Sequence, residues 1–248
     1  AGFLIVTTWI FKRIWEQSKV IENRSTSKEA PSQRACIIAF LSKGGEELLP
    51  KLEQLQSERP DSASPSGNLR LVEDLNFAQL SGIRWTWAPI LELIHFHSTG
   101  PTGKLRHVTV IGSSTGPTPT AEQVPKILEF ASSYFVDHPF PIEWETCFDP
   151  QVENSDRSLG VDFEDFDEIE LALGNCIDRL LKKGYRHNEI VIDLTGGTKV
   201  CSLAAMAVTL ESSISNNYVS QGEPKQSNPV RPMICEFDYS GKEAGDPT

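Results

Sequence analysis

The sequence predicts an α/β protein built on a Rossmann-like, doubly wound and mainly parallel sheet. Short strand-like runs at Ala35–Leu41, Val108–Ile111, Ile142–Thr146 and Ile190–Ile192 alternate with longer stretches of helical period, as in a sheet with helices on its faces. Three of these runs end in turns rich in glycine and hydroxyls, starting at Ser42, Gly112 and Thr195. In an open parallel sheet such turns share the C-terminal edge of the strands, where ligands sit at a topological switch point. Composition agrees: 248 residues, 39% hydrophobic and 23% charged, suffice for one large core.

In chain order, Gly2–Phe11 is apolar apart from Thr7 and Thr8, and Lys12-Arg13 follow, flanked by Trp9 and Trp15. The run is about half the ~20 residues a membrane-spanning helix requires. It lacks the basic start and small-residue cleavage site of a signal peptide. Aromatics around a basic pair fit the cytoplasmic end of a membrane helix. The same segment also reads as an amphipathic helix docked on protein, with Leu4, Ile10, Phe11 and Ile14 at helical spacing. The expectation is an N-terminal hydrophobic helix over 1–20, a polar linker containing Pro31 over 21–34, and one α/β domain over 35–248.

Ala35–Leu41 (ACIIAFL) is continuously apolar, as expected of a strand covered on both faces. Glu46–Leu55 reads as helix. Residues 42–107 separate this strand from the next, far more than a simple crossover needs, so an insertion or a further strand near Leu69–Val72 is expected. Ile90–Phe96 reads as helix with Pro89 near its start. Trp85 and Trp87 read as core or as a subunit contact. His95 and His97, two apart, share no helical face and make no metal pair. Thr120–Phe135 reads as helix, and Phe148, after the third strand, as core or a base-stacking ring.

Phe163–Leu181 is the clearest amphipathic helix, with Phe166, Ile169, Leu173, Ile177, Leu180 and Leu181 on one face. Asp162, Glu164, Asp165, Asp167 and Glu168 crowd its start, where the helix dipole favours negative charge, so they read as capping rather than catalysis. Ser213–Pro232 reads as a polar loop and Met233–Tyr239 as the last strand.

The net charge of −11 argues against a DNA- or long-RNA-binding face. A small anion held by backbone N–H groups and one or two lysines remains compatible with it. The five cysteines are scattered and lack CxxC spacing, which points to reduced thiols rather than a disulfide framework or zinc site. No catalytic set and no metal site are expected.

The chemistry concentrates in Glu189–Leu210 (EIVIDLTGGTKVCSLAAMAVTL): a β-branched strand, a glycine turn, then a helix of small residues. Gly196 and Gly197 can take the positive φ angles that aim successive N–H groups at one anion. The following helix N-terminus adds unpaired N–H groups and partial positive charge. Thr195 and Thr198 offer hydroxyls, and Lys199 a mobile cation. The spacing is neither Walker A nor GxGxxG. A tight βα turn whose glycines serve packing alone is the competing reading. Gly112, Ser113, Ser114 and Thr115 form a second candidate for ribose or phosphate contact, and Ser42 with Lys43 a third; plain surface turns fit their composition equally well.

The string Asp193-Leu194-Thr195-Gly196-Gly197-Thr198-Lys199, after a strand and before a small-residue helix, resembles the signature of CARF domains. These are the CRISPR-associated Rossmann-fold sensors of cyclic oligoadenylate. The looser likeness runs from Ala35 to Tyr239. The resemblance implies a homodimer binding one ring, cyclic tetra-adenylate in the first instance, across its two-fold axis. Thr195, Gly196, Gly197, Thr198 and Lys199 of each subunit would hold that ring.

CARF proteins usually carry an effector domain, and the chain shows no R-x4–6-H ribonuclease motif, PD-(D/E)xK pattern or zinc deaminase signature. It therefore looks like the membrane effector of type III CRISPR antiviral systems. That implies a cytoplasmic CARF domain attached to the inner membrane by its N-terminal helix, as a dimer or higher oligomer. A ring nuclease that cleaves its own ligand, a CARF regulator without a membrane role, and a generic nucleotide-binding Rossmann protein are the alternatives.

Overall fold

A computed structural model of the chain describes residues 31–43, 67–80, 86–99, 103–116, 119–135, 138–147, 160–210, 212–220 and 233–237. The chain divides into two units between Ser32 and Gln33, and the fold below is that of the second. The apolar run at the N-terminus, Glu46–Leu55, Trp85 and Phe148 lie outside the described residues.

Six strands, β1 (Cys36–Phe40), β2 (His107–Ile111), β3 (Glu143–Thr146), β4 (Ile190–Asp193), β5 (Ser215–Ser220) and β6 (Met233–Phe237), form one sheet in the order β3-β2-β1-β4-β5-β6. The first five run parallel, and β6 pairs antiparallel with β5. Every residue of β1, β2 and β4 is buried, which is why β1 and the Ile190–Ile192 run of β4 are continuously apolar, while His107 and Thr109 of β2 and Asp193 of β4 are buried polar groups.

The pleat sends alternate side chains to opposite faces. Ile37, Ala39, Val108, Val110 and Val191 pack under α1 (Gly67–Leu80), α2 (Ala88–Ser98) and α3 (Val124–Tyr134). Ile38, Phe40, Ile190 and Ile192 pack under α4 (Phe166–Lys182) and α5 (Lys199–Thr209). The chain therefore leaves β1 over one face and β4 over the other, and the strand order reverses between them. That is the switch point of a doubly wound sheet.

The long connection from β1 to β2 is an insertion containing α1 and α2, and Leu69–Val72 is helix rather than strand. Leu71 and Leu75, four apart, share the face that reaches the core. Asp74 beside them is buried and accepts a 2.6 Å hydrogen bond from the Tyr134 hydroxyl, tying α1 to α3.

The helix α4 starts where the acidic cluster predicts. The Asp165 carboxylate accepts from the N–H groups of Asp167 and Glu168, at 3.0 and 3.1 Å. It ends in a Schellman turn: Gly184 has φ +95°, its N–H reaches Leu181, and the Tyr185 N–H reaches Leu180.

Ser213–Pro232, expected as loop, contains β5. Asparagine is a poor strand former, but here each buried amide meets a polar side chain. Asn216 Nδ2 donates to Thr209 Oγ1 at 2.7 Å, and the Asn217 carboxamide lies 3.3 Å from His97 Nε2. His97 accepts the Arg34 N–H at Nδ1, so its proton sits on Nε2, and the Asn217 amide pairs with it by turning its oxygen toward the ring. Burial, with Arg34 nearby, pushes its pKa down to about 3 and keeps it neutral.

Candidate functional site

The chain leaves β1, β2 and β4, which are neighbours in the sheet, at Ser42, Gly112 and Thr195, so the starts of all three turns lie on its C-terminal edge. The turn after β4 rests directly on the end of β1. A Cβ placed on Gly196 would stand 1.8 Å from the Phe40 carbonyl oxygen, and one on Gly197 would stand 2.5 Å from Cys201 Cβ. Neither glycine has positive φ. The expected nest of left-handed residues is therefore absent, and glycine is required here for close approach of backbone to backbone. Ser42 Oγ closes the contact by donating to the Gly196 carbonyl at 3.1 Å.

A cavity of about 300 Å³ opens at this junction, near the lower end of small-ligand sites. Leu41 and Ser42 after β1, with Asp193, Thr195 and Gly196 after β4, form one wall. Thr86, Pro89 and Ile90 at the start of α2 form another, and Tyr218 and Val219 of β5 close it. Tyr218 is 45% exposed, so its ring borders the mouth.

Asp193 is 1% exposed. Burial raises its carboxyl from 3.8 to about 6, against the opposing effect of its bonds from Thr195. The Thr195 hydroxyl donates to Asp193 Oδ1 at 2.6 Å, the Thr195 N–H donates to the same oxygen at 3.1 Å, and the hydroxyl accepts from the Val219 N–H at 2.8 Å. Thr195 thus staples the turn to β5 and has its proton committed. Thr195→Val keeps the shape but strands the Val219 N–H and weakens the support of Asp193. It is expected to cost about 2 kcal/mol, read as a lowered urea midpoint at unchanged slope.

Thr198 caps α5. Its hydroxyl donates to the Phe163 carbonyl at 2.7 Å and accepts the Cys201 N–H at 3.3 Å. The first-turn N–H groups of Lys199 and Val200 have no acceptor within the helix, and the side chains of Lys199 and Lys43 are exposed. Neither lysine lines the cavity, whose walls among the described residues are neutral except for Asp193.

The second turn stands apart from the cavity. A Cβ on Gly112 would lie 2.5 Å from Ala121 Cα. The Ser113 hydroxyl and N–H both meet Thr120 Oγ1, the Ser114 N–H donates to the Val161 carbonyl, and Thr115 Oγ1 donates to Asp162. These groups close the loop on itself. Ser42, Thr195 and Gly196 are thus brought together in one cavity, and Gly112–Thr115 lie at a neighbouring strand end.

Sequence reasoning missed Asp193 as the buried acid of the site. An aspartate closing an apolar strand before two glycines was the available signal. Tyr218 and Val219 were hidden in a stretch read as loop, although both are strand formers. The part played by Thr86, Pro89 and Ile90 depends on how α2 folds back over β1 and had no local signal.

No protein-family model matches the chain. It is similar to an uncharacterized protein of Aquifex aeolicus (strain VF5), 25% identical over 203 residues, covering 81% of this chain and 56% of the relative. The chain thus spans a little over half the length of that relative.

Proposed function

We propose that the chain is a sensor of cyclic oligoadenylate of the CARF type, cyclic tetra-adenylate being the first candidate ring. The observation that carries this reading is the cavity walled by the Asp193–Gly196 turn at the switch point between β1 and β4. Its size and largely neutral walls suit one adenosine, with Tyr218 at the mouth as a stacking surface. Phosphate would stay at the rim, near Lys43, Lys199 and the first turn of α5, because an ionised Asp193 disfavours an anion beside it. The Thr195 and Thr198 hydroxyls are donated within the fold, so backbone N–H groups and lysines would carry the anion contacts. A ring extends beyond one such cavity, which is consistent with two subunits sharing it and with Gly112–Thr115 meeting its outer part.

The proposal extends to the effector. Residues 1–20 would be the membrane-attached element of a type III CRISPR defence protein, with 21–34 relaying a change in subunit arrangement to the inner membrane. A ring drives that change only by binding one arrangement better than another.

A second reading, ring cleavage, gains one observation: Asp193 is a carboxylate held near pKa 6 at the cavity, the range of a general base. Linear products bearing a 2′,3′-cyclic phosphate after incubation would select it.

The test is calorimetric titration of the full chain with cyclic tetra-adenylate and cyclic hexa-adenylate. One ring per two chains is expected, weakened at least about ten-fold by Lys199→Ala, which removes a charge-assisted contact. Failure of a folded protein to bind either ring overturns the reading.

A further inference from the structure

The opposite end of the sheet holds a second cluster, independent of the ligand reading. His107 opens β2, and Glu143 and Glu145 lie on the same side of the edge strand β3, with His107 in register with Glu143. The His107 ring is wholly buried. Its Nδ1 lies 3.4 Å from Glu143 Oε2 and its Nε2 3.2 Å from Glu145 Oε2, yet neither nitrogen is aligned for a hydrogen bond. A buried imidazole with both nitrogens unbonded is costly in a fold that otherwise satisfies its polar groups.

One ring nitrogen and one oxygen from each carboxylate fall within 4.8 Å of one another. Atoms bound at about 2.0–2.2 Å to one tetrahedral ion lie about 3.4 Å apart, so the widest side of the triangle closes by up to about 1.4 Å, within reach of the two glutamate side chains.

We propose that His107, Glu143 and Glu145 bind a divalent transition-metal ion, in exchange for Lys183. The Lys183 ammonium bridges the two carboxylates, 2.7 Å from Glu143 and in contact with Glu145. It occupies the place where the charge of an ion would fall. Lys183 sits on the Schellman turn after α4 at the end of a four-carbon stem, with its side chain about a third exposed, so it can swing into solvent without disturbing the helix. Glu143 is 58% exposed, which leaves the site an entry path.

An imidazole with two carboxylates suits Zn2+ or Mn2+ rather than a soft ion. The ion would clip β3, which among the described residues has β2 as its sole sheet neighbour, to the buried start of β2. This role is structural and lies at the end of the sheet away from the cavity.

The experiment titrates the full chain, stripped with chelator, with Zn2+ and separately Mn2+, by calorimetry and thermal melting. One ion per chain with a raised melting temperature is expected. Glu145→Gln should weaken binding at least about ten-fold, and Lys183→Met should strengthen it by a similar factor because the competing cation is gone. Urea midpoints of both variants establish that they fold. Lack of binding to both the native chain and Lys183→Met, or binding indifferent to Glu145→Gln, overturns the proposal.

Discussion

Gly196→Ala is expected to destabilise the protein by about 3 kcal/mol or more, the upper range for overpacking. The added methyl would lie 1.8 Å from the Phe40 carbonyl oxygen and 2.9 Å from its carbon. Both are backbone atoms at the end of a fully buried central strand, so no rotamer change relieves the contact. The turn after β4 must lift off β1, which breaks the bond from Ser42 to the Gly196 carbonyl and opens the cavity wall. Urea unfolding measures the loss. Gly174→Ala in the middle of α4 is the control: nothing lies within 4 Å of its added methyl, and the better helix former should stabilise by about 0.5–1 kcal/mol. Equal, small effects at the two glycines would show that the close approach of turn and strand is not a constraint.

Asp193→Asn should stabilise the protein at pH 8 by up to about 3 kcal/mol, and the gain should vanish near pH 4. The sign follows from proton uptake. The folded-state carboxyl is raised from 3.8 to about 6 by burial. Between those values the folded state binds a proton that the unfolded chain does not, so acidification relieves a cost present at neutral pH. Asparagine still offers an oxygen to both Thr195 donors and removes the charge. His97 acts in the opposite sense. Lowered from 6.5 to about 3, it stays neutral when folded and draws protons when unfolded, so its contribution is lost as pH falls below 6.5. In the native chain the two offset each other over much of pH 4–6. In Asp193→Asn only the histidine remains, and acid sensitivity should steepen. Urea midpoints across pH 4–8 test both. A variant less stable than the native chain at pH 8 would mean that the Asp193 charge is supported rather than tolerated.

Much of the architecture was legible because it is local. ACIIAFL and IVI are apolar without alternation, which a strand buried on both faces demands, and α4 announces itself through its apolar stripe and acidic start. Those same features placed three glycine turns at strand ends, and the sheet order puts all three strands side by side. What failed locally was β5. Its asparagines are poor strand residues until Thr209 on α5 and His97, 120 residues away in sequence on α2, meet their amides. The glycines after β4 were read correctly as necessary and incorrectly as left-handed, because sequence shows that a side chain is excluded but not which neighbour excludes it.

By itself, then, the sequence determined the alternation of strands and helices, the position of the turns, and the Asp193–Lys199 string with its chemistry. The tertiary structure alone decided how that chemistry is divided. It commits the Thr195 and Thr198 hydroxyls to β5 and to the cap of α5, buries Asp193 at the cavity, and closes Gly112–Thr115 on Thr120 and Asp162. It also gathers His107, Glu143 and Glu145 from two strands into one cluster. The reason is physical: a hydroxyl, carboxylate or imidazole has a fixed hydrogen-bonding capacity, and how much of it is left for a ligand depends on partners that only folding brings within reach.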